Sequence, residues 1–331
     1  MSTTMSDVAA QAGVSVTTVS HVINSTRPVS ADLRERVVVA MAALNYQPNR
    51  LARSLRQGRT HTIGMIVPDN ANPYFAEVAR GIEETAYQND YSLILCNSAG
   101  DLDRERFYIN VLLEKQVDGI ILVAAGSSTS NIANIALPPM VVVDRDLPNI
   151  HADAVLTENA QGGQLATEHL LALGHRRIAC ITGASDVTPT AERATGYRQA
   201  LVAAGVEVDE NLVVKGDFHY ASGYAAAKGL LTGPNPPTAI FACNDLMAVG
   251  AISAGIELGL RIPADLSIVG FDDVQLASFT NPPLTTVAQP KREMGTLAVS
   301  LLLERMADPD IPPRRRWLGT GLVVRGSTKE C

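Results

Sequence analysis

Short apolar runs alternate with helix-forming segments over most of this chain, and this pattern constrains the fold more than any other feature of the sequence. Near-continuous apolar strands between helices are typical of parallel sheets that are covered by helices on both faces. The runs are residues 63–67, 93–95, 119–123, 140–143, 178–181, 239–242 and 268–269. Because they form two consecutive sets, we predict an α/β body made of two doubly wound lobes.

The overall composition fits a globular protein of about two domains rather than a disordered or membrane-spanning chain. Of the 331 residues, 46% are hydrophobic, which is enough for a full-sized core. No apolar stretch approaches the roughly 20 residues that a transmembrane helix needs. The first residues carry neither the basic nor the apolar region of an export signal. We therefore expect a cytoplasmic protein with no membrane partner.

The sequence carries no recognisable catalytic or metal-binding motif. Its four cysteines lie far apart and have no histidine at metal-ligand spacing. The phosphate-binding, dinucleotide-binding, nucleophile-elbow and zinc-protease motifs are all missing. His169 and His175 flank a predicted helix end and are interpreted as solvated, and residues 314–316 as a solvated arginine-rich loop. We expect no metal, no cofactor and no enzymatic activity.

Charge is distributed unevenly along the chain, whose formal net charge is −7. Residues 1–60 contain seven arginines and no lysine against three acidic residues, so this segment is basic and the remainder is acidic. A small basic segment attached to a larger acidic one is typical of a protein whose small segment binds a polyanion. Arginine without lysine favours bidentate contacts to phosphate or guanine.

Three short helices are predicted within the first 46 residues. Ser6, Ser15 and Ser30 are candidate N-caps, since a serine hydroxyl can accept a hydrogen bond from a free backbone N–H. Gly13 supplies the turn between the first two helices, and the third helix is predicted to end at Asn45. Apolar residues recur at helical spacing in all three segments, namely Val8, Ala9 and Ala12, then Val19, Val22 and Ile23, then Leu33, Val37, Met41 and Leu44.

Two short helices joined by a glycine turn and braced by a third one form a helix-turn-helix. In such a unit the second helix fits the DNA major groove, with its N-terminal residues over the base edges. Val16, Thr17, Ser20 and His21 lie on the outward face of that helix. A three-helix bundle without a DNA function would not account for the basic charge, so we predict a DNA-binding unit over residues 1–46.

A fourth short helix is predicted just after this unit. Pro48 suits a first helical turn, and Leu51 and Leu55 then share one face. An isolated helix of this length is unstable, because about 12 to 15 residues are usually needed. We therefore predict a hinge over residues 47–60 that folds only against a partner.

Several blocks of the sequence are similar to those of a known protein family. They are residues 5–15 (MSDVAAQAGVS), 18–24 (TVSHVIN), 44–49 (LNYQPN), 62–68 (TIGMIVP), 244–248 (NDLMA), 269–273 (VGFDD) and 284–287 (LTTV). Through these blocks the chain resembles the lactose-repressor/galactose-repressor family of bacterial transcription factors over nearly its whole length.

The resemblance implies a homodimeric repressor of double-stranded, palindromic operator DNA. It also implies a body like that of the periplasmic sugar-binding proteins, with ribose or a related monosaccharide as the effector. Leu55 would then be a wedge inserted into the minor groove. The residues that would contact DNA are Ser6, Ser15, Val16, Thr17, Thr18, Ser20, His21, Asn24, Asn49, Ala52, Arg53 and Leu55.

The polar residues that follow the predicted strands point to a ligand site, because ligands of open α/β sheets bind beyond the carboxyl ends of the strands. Carboxylates, amides, an arginine and neighbouring aromatic rings together suit a sugar. We interpret Asp144 and Arg145 as ligand contacts, and Asp69, Asn97 and Asp273 as helix caps. Together with Arg193, which the resemblance adds, the predicted contacts are Asn72, Tyr74, Phe75, Asp144, Arg145, Arg193, Asn244, Asp272 and Gln289.

These features predict how the chain is divided and how its parts work together. The segments are a DNA-binding domain at 1–46, a hinge at 47–60, a first lobe at 61–158 plus 290–318, and a second lobe at 159–289 plus 319–331. Sugar binding would close the lobes and shift the hinge between ordered and disordered states. Three alternatives stay open: a sugar-binding protein without DNA function, a regulator that senses a purine or sugar phosphate, and a dinucleotide-dependent oxidoreductase.

Overall fold

The computed structural model describes residues 3–24, 27–46, 59–128, 132, 135–147, 150–184 and 187–331. Two compact units divide the chain, a small one at residues 1–60 and a large one at residues 61–331. Among the described residues, none of the helices has both the length and the apolar content needed to cross a bilayer.

The small unit contains three helices, α1 (Met5–Ala12), α2 (Val16–Asn24) and α3 (Ala31–Ala43). One side chain from each helix, Val8, Val19 and Val37, is completely buried at the centre of the unit. The guanidinium group of Arg36 on α3 donates to the backbone oxygens of Ala12 and Gly13, so it ties α3 to the end of α1. This arrangement is the predicted helix-turn-helix with its bracing third helix.

The ends of these helices differ in part from the prediction. Ser6 is not the cap of α1, because Thr4 occupies that position and forms a reciprocal capping box with Asp7. The Oγ of Ser15 accepts from the backbone N–H of Thr18 at 3.1 Å, as predicted. Ser30 precedes α3 without making a side-chain cap bond, and α3 ends at Ala43, two residues before the predicted end.

The large unit contains two six-stranded sheets. The strands of the first sheet are β1 Thr62–Val67, β2 Ser92–Asn97, β3 Gly119–Leu122, β4 Met140–Val143, β5 Asp153–Thr157 and β11 Arg315–Leu318. Their order is β11-β5-β4-β3-β1-β2, with all neighbours parallel. Helices α4 (Pro73–Gln88) and α11 (Lys291–Ala307) cover one face, and α5 (Leu102–Glu114) covers the other.

The second sheet follows the same plan. Its strands are β6 Ile178–Thr182, β7 Val213–Lys215, β8 Ala239–Ala242, β9 Ser267–Asp272, β10 Thr285–Ala288 and β12 Gly321–Val323. Their order is β12-β10-β9-β8-β6-β7, and β12 alone runs antiparallel to its neighbour. The helices are α6 Asn159–Ala172, α7 Thr188–Ala203, α8 Tyr220–Leu231, α9 Asp245–Glu257 and the short α10 Gln275–Phe279, with one 3₁₀ turn at Glu210–Leu212.

Glycines let three pairs of helices pack backbone against backbone. Each helix of a pair contributes one glycine to the contact. A Cβ added at that glycine would lie within 2.5 Å of a carbonyl oxygen of the partner helix. The pairs are Gly163 and Gly196 in α6 and α7, Gly223 and Gly250 in α8 and α9, and Gly81 and Gly295 in α4 and α11. Any larger residue at these positions must push the two helices apart.

The predicted α/β architecture is confirmed, and all seven apolar runs lie in or overlap strands. Two smaller interpretations are wrong. Arg315 and Arg316 belong to strand β11 rather than to a solvated loop, and Arg314 pairs with the buried carboxylate of Asp153 at 3.1 Å. His175 is 3% exposed and bonds to Thr238, so it is a core residue; burial lowers its pKa.

Three connections carry the chain between the two sheets. They are residue 158 after β5, residues 289–290 after β10, and residues 319–320 between β11 and β12. Two of these connections begin at the carboxyl ends of β5 and β10. The residues that follow these two strands therefore lie beside the space between the sheets.

Candidate ligand-binding cleft

A cavity of about 420 Å³ opens at the carboxyl ends of strands from both sheets. Its volume lies within the range of small-molecule sites. Eight of the nine predicted ligand contacts line it, namely Asn72, Tyr74, Phe75, Asp144, Arg145, Arg193, Asn244 and Asp272. Gln289 lies behind this lining, where its side-chain amide donates to the Asp272 carboxylate at 2.7 Å.

Tyr74 and Asp144 form the hydrogen bond at the centre of the first sheet's wall. The phenol donates to the Asp144 carboxylate at 2.7 Å, and the Gln289 side-chain oxygen lies 3.3 Å from the same hydroxyl. Burial, together with the neighbouring Asp144 carboxylate, raises the pKa of Tyr74 well above its usual value. The phenol therefore stays protonated at physiological pH, and its single proton is held in the hydrogen bond to Asp144.

Arg145 is held by the backbone rather than by a surface ion pair. One of its terminal nitrogens donates to the carbonyl oxygens of Ala124 and Ala125 at 2.5 and 3.1 Å. Its Nε lies 3.7 Å from the Asp144 carboxylate, and the side chain is about one-tenth exposed. The ring of Phe75 lies 6.0 Å from the guanidinium carbon. The guanidinium is thus fixed in place at the cavity wall before any ligand arrives.

Arg193 plays the corresponding part on the wall of the second sheet. Its guanidinium donates to the side-chain oxygen of Asn159 at 2.8 Å and to the Cys243 carbonyl at 2.6 Å. The same group lies 3.6 Å from the Asp272 carboxylate and 3.8 Å from the centre of the Phe271 ring. Asn159 was not among the predicted contacts, because strand β5, which ends two residues before it, was not predicted.

Asp272 is a carboxyl group in the cleft wall whose pKa is raised. Burial raises its pKa to about 7, although Arg193, Gln289 and Lys291 all act in the opposite direction. The adjacent Asp144 carboxylate adds to the increase. Near neutral pH this carboxyl group can therefore either donate or accept a hydrogen bond, which matches the dual nature of a sugar hydroxyl.

Four of the nine described non-glycine residues with positive φ line the cavity, namely Ala99, Asp144, Phe218 and Asp272. Asp144, Phe218 and Asp272 have φ values of 69°, 71° and 107°, which non-glycine residues seldom adopt. Such conformations cost about 1–3 kcal/mol each and are typical of binding sites. Phe218 was missed because its strand, β7, has only three residues and no long apolar run.

The residues interpreted as helix caps behave in two ways. Asp69 and Asn97 cap no helix, because Asn72 and Asp101 are the N-caps of α4 and α5. They accept instead from the backbone N–H groups of Ala71 and Ala99, two residues ahead in the preceding loops, and both line the cavity. Asp273 is not a helix cap, because its carboxylate accepts from the guanidinium of Arg325 at 2.6 Å.

Asn72 and Asn244 line the cavity, and each also caps a helix. Their side-chain oxygens accept from the N–H groups of Tyr74 and Met247, at the starts of α4 and α9. The amide of Asn244 also donates to the Phe218 carbonyl at 2.8 Å, which links α9 to the strained residue.

Of the four residues predicted to lie on the outward face of α2, Val16 and Thr17 are exposed, whereas Ser20 and His21 are half-buried. Val16 is 47% exposed, and Thr17, Ser15 and Ser6 are exposed as well. Thr18, Ser20 and His21 are half-buried. Asn24 is the last residue of α2; its side chain, and the hinge residues Asn49, Ala52, Arg53 and Leu55, lie outside the described part of the chain.

The fold thus joins a helix-turn-helix unit to a ligand-binding body, which is the architecture of a ligand-responsive DNA-binding regulator. Residues 4–49 match the family model described as bacterial regulatory proteins, lacI family, and residues 167–328 match a periplasmic binding protein-like domain. The ribose operon repressor of Escherichia coli K12 is 42% identical over 98% of this chain and 99% of its own length.

Solved structures agree with this assignment. The lac repressor dimer bound to operator and an anti-inducer superposes with a TM-score of 0.87 at 30% identity, covering 99% of this chain and 100% of that one. A LacI-family regulator from Enterococcus faecium with bound ribose gives a TM-score of 0.74 at 32% identity, covering 82% of this chain and 99% of that one. The chain belongs to the LacI family of bacterial regulatory proteins.

Proposed function

We propose that this chain represses transcription as a homodimer on a palindromic operator and that ribose, or a closely related monosaccharide, sets its operator affinity. The observation that carries the proposal is the polar cavity between the two sheets, where Asp144 and Arg145 face Arg193 and Asp272. The lac repressor dimer on its operator and the ribose-bound relative from Enterococcus faecium support it.

The chemistry of the cavity favours a neutral polyhydroxyl ligand. Vicinal hydroxyls pair well with the two oxygens of a carboxylate and with the fork of a guanidinium, and C–H faces pack on aromatic rings. Asp144 and Asp272 both line the cavity, and an ionised carboxylate at either position would repel a phosphate dianion. A sugar therefore fits this site better than a sugar phosphate.

Several finer assignments belong to the same proposal. The lobes comprise residues 61–158 plus 290–318 and residues 159–289 plus 319–331, and the grouping of strands into two sheets supports these limits. On the operator, Val16, Thr17 and His21 face base edges, while the hinge orders in the minor groove with Leu55 as its wedge. The protein is cytoplasmic, is not an enzyme and needs no cofactor.

A ligand panel tests the effector assignment. D-Ribose is expected to raise the melting temperature of the full chain, because a ligand at 100 times its Kd adds about 2.7 kcal/mol to the stability of the folded state. D-Glucose, ribose 5-phosphate and hypoxanthine at equal concentration should produce much smaller shifts. The same D-ribose concentration should change operator affinity, measured by fluorescence anisotropy. A shift with hypoxanthine and none with any sugar would replace the proposed effector by a purine.

Thr17→Ala tests how the operator is read. If Thr17 faces a base edge, its loss should relax preference at one position in each half-site, where a wrong base usually costs about 1–3 kcal/mol. Binding-site selection from a randomised operator library measures this preference. Ser30→Ala is the matched control, because the Ser30 hydroxyl makes no cap bond and lies before α3. Selection of the parental operator by Thr17→Ala would remove this residue from the reading face.

A further inference from the structure

Lys291 is a buried lysine that does not line the cavity. It is only 6% exposed at the first position of α11, directly after the connection that leaves β10. Its ammonium donates to the backbone oxygens of Asp272 and Asp273 at 2.5 and 2.8 Å, and it lies 3.8 Å from the Glu77 carboxylate on α4. Burying a lysine is costly unless it is paired in this way, so the position calls for an explanation.

The turn that Lys291 holds is strained and carries Asp272, the carboxyl group of the cleft wall whose pKa is raised. Asp272 and Asp273 both have positive φ values, 107° and 52°. On the side of the second sheet, Asp245 accepts from the N–H of Val274 at 2.8 Å and Arg325 donates to the Asp273 carboxylate. Lys291 approaches the same turn from α11, a helix that packs with α4 on the first sheet.

The side chain of Val274 strengthens this link between the sheets. It is 1% exposed and belongs to the apolar cluster formed by α4, α11 and the first sheet. The turn is therefore built from the second sheet but anchored in the first one, by an apolar contact through Val274 and a charged contact through Lys291.

We propose that Lys291 is a positioning residue for the effector, which fixes the strained turn so that Asp272 faces the cleft and connects that turn to α4 through Glu77. This inference rests on the proposed function. In this role Lys291 couples Asp272, which faces the ligand, to the helices that cover the first sheet. Lys291 does this without touching the ligand itself.

The charge of Lys291 distinguishes positioning from simple packing. The groups that act on Asp272 are Arg193 and Lys291, which lower its pKa together with the hydrogen bond from Gln289, and Asp144, which raises it. Other titratable or charged groups also lie around the turn and Lys291, namely Tyr74, Glu77, Asp245, Asp273 and Arg325. Removing the ammonium should therefore raise the midpoint at which Asp272 titrates, whichever of its protonation states binds the effector more tightly.

Calorimetry of the full chain with D-ribose from pH 5.5 to 8.5 measures this midpoint. Wild type should show a change of affinity centred near pH 7, where Asp272 titrates. Lys291→Met should weaken D-ribose binding at least tenfold at pH 7.5 and move the midpoint upward. Lys291→Gln, which keeps an uncharged N–H donor group, should move the midpoint in the same direction. It serves as the neutral variant if Lys291→Met fails to fold. Lys291→Arg keeps the charge and should keep the midpoint of wild type.

Lys228→Met is the control, because Lys228 pairs with Glu257 on the exposed surface of α8 and α9. It should match wild type in affinity and midpoint. The inference is overturned if neutral variants of Lys291 leave the midpoint unchanged, or if Lys291→Arg loses as much affinity as they do. A failure of wild type to bind D-ribose would instead count against the proposed effector. In that case the inference is tested without ligand, by following the titration of Asp272 with carboxyl-¹³C NMR and assigning its signal with Asp272→Asn. The titration midpoint of Asp272 must then be higher in Lys291→Gln than in wild type.

Discussion

Arg193→Met is expected to reduce effector affinity by about 100-fold or more, because removing a buried partner leaves polar groups unpaired at about 1–3 kcal/mol each. The variant deprives the Asn159 side chain and the Cys243 carbonyl of their donor. It also removes one of the two cations that lower the pKa of Asp272, so that this carboxyl group becomes more fully protonated at neutral pH. Isothermal calorimetry with D-ribose measures the loss.

Arg198→Met is the matched control for this experiment. Arg198 lies on the same helix, but its partner is the exposed carboxylate of Glu210, and exposed ion pairs contribute only about 0–1 kcal/mol. We expect its effector affinity to equal that of wild type and its melting temperature to fall only slightly. Operator binding without effector should survive in both variants. If Arg193→Met bound D-ribose as wild type does, Arg193 would have no part in the site.

Gly163→Ala is expected to lower both stability and effector affinity. The added methyl group would lie 2.2 Å from the backbone oxygen of Arg193, so α6 and α7 must separate. Overpacking of this kind costs about 1–3 kcal/mol or more, which exceeds the gain of about 1 kcal/mol from replacing glycine within a helix. Because the atom that must move belongs to Arg193, its guanidinium is displaced from the cleft as well. Thermal melting and calorimetry measure the two effects.

Gly229→Ala separates this close contact from the general effect of glycine replacement. Gly229 is also within a helix, α8, but a Cβ there would meet nothing within 4 Å. We expect this variant to be unchanged or more stable by up to about 1 kcal/mol, with wild-type effector affinity. If Gly163→Ala were as stable as Gly229→Ala, the two helices could separate without cost and the close packing would not matter.

Most strands whose residues are nearly all apolar were predicted, and most strands that contain charged or several polar residues were not. The runs at β1, β3, β4, β6 and β8 are apolar at nearly every position because helices cover both sides of each sheet. Strand β5 was missed because it begins with Asp153, whose carboxylate is neutralised by Arg305 and Arg314. Strand β11 was missed because it is an edge strand of arginines and one exposed tryptophan. Those two strands owe their place to neighbours that are distant in sequence.

The N-cap of α1 could not be identified from the hydroxyl residues alone. Thr4 and Ser6 both precede apolar residues that share a helical face, and either could cap α1. Asp7 decides between them, because it stands three residues after Thr4 and can return the hydrogen bond to its backbone N–H. The position of the helix-turn-helix did not depend on this choice.

The sequence pattern alone determined that a basic helix-turn-helix precedes an α/β body, and it singled out seven of the eight predicted contacts that line one cavity, while the family resemblance added Arg193. It could do so because helix periodicity, strand burial and the position of ligands at strand ends are local consequences of chain chemistry. Only the tertiary structure revealed Asn159, Phe218 and Lys291, and the raised pKa of Asp272. Each of these depends on distances between segments remote in sequence, and electrostatic and desolvation energies follow such distances rather than the order of residues.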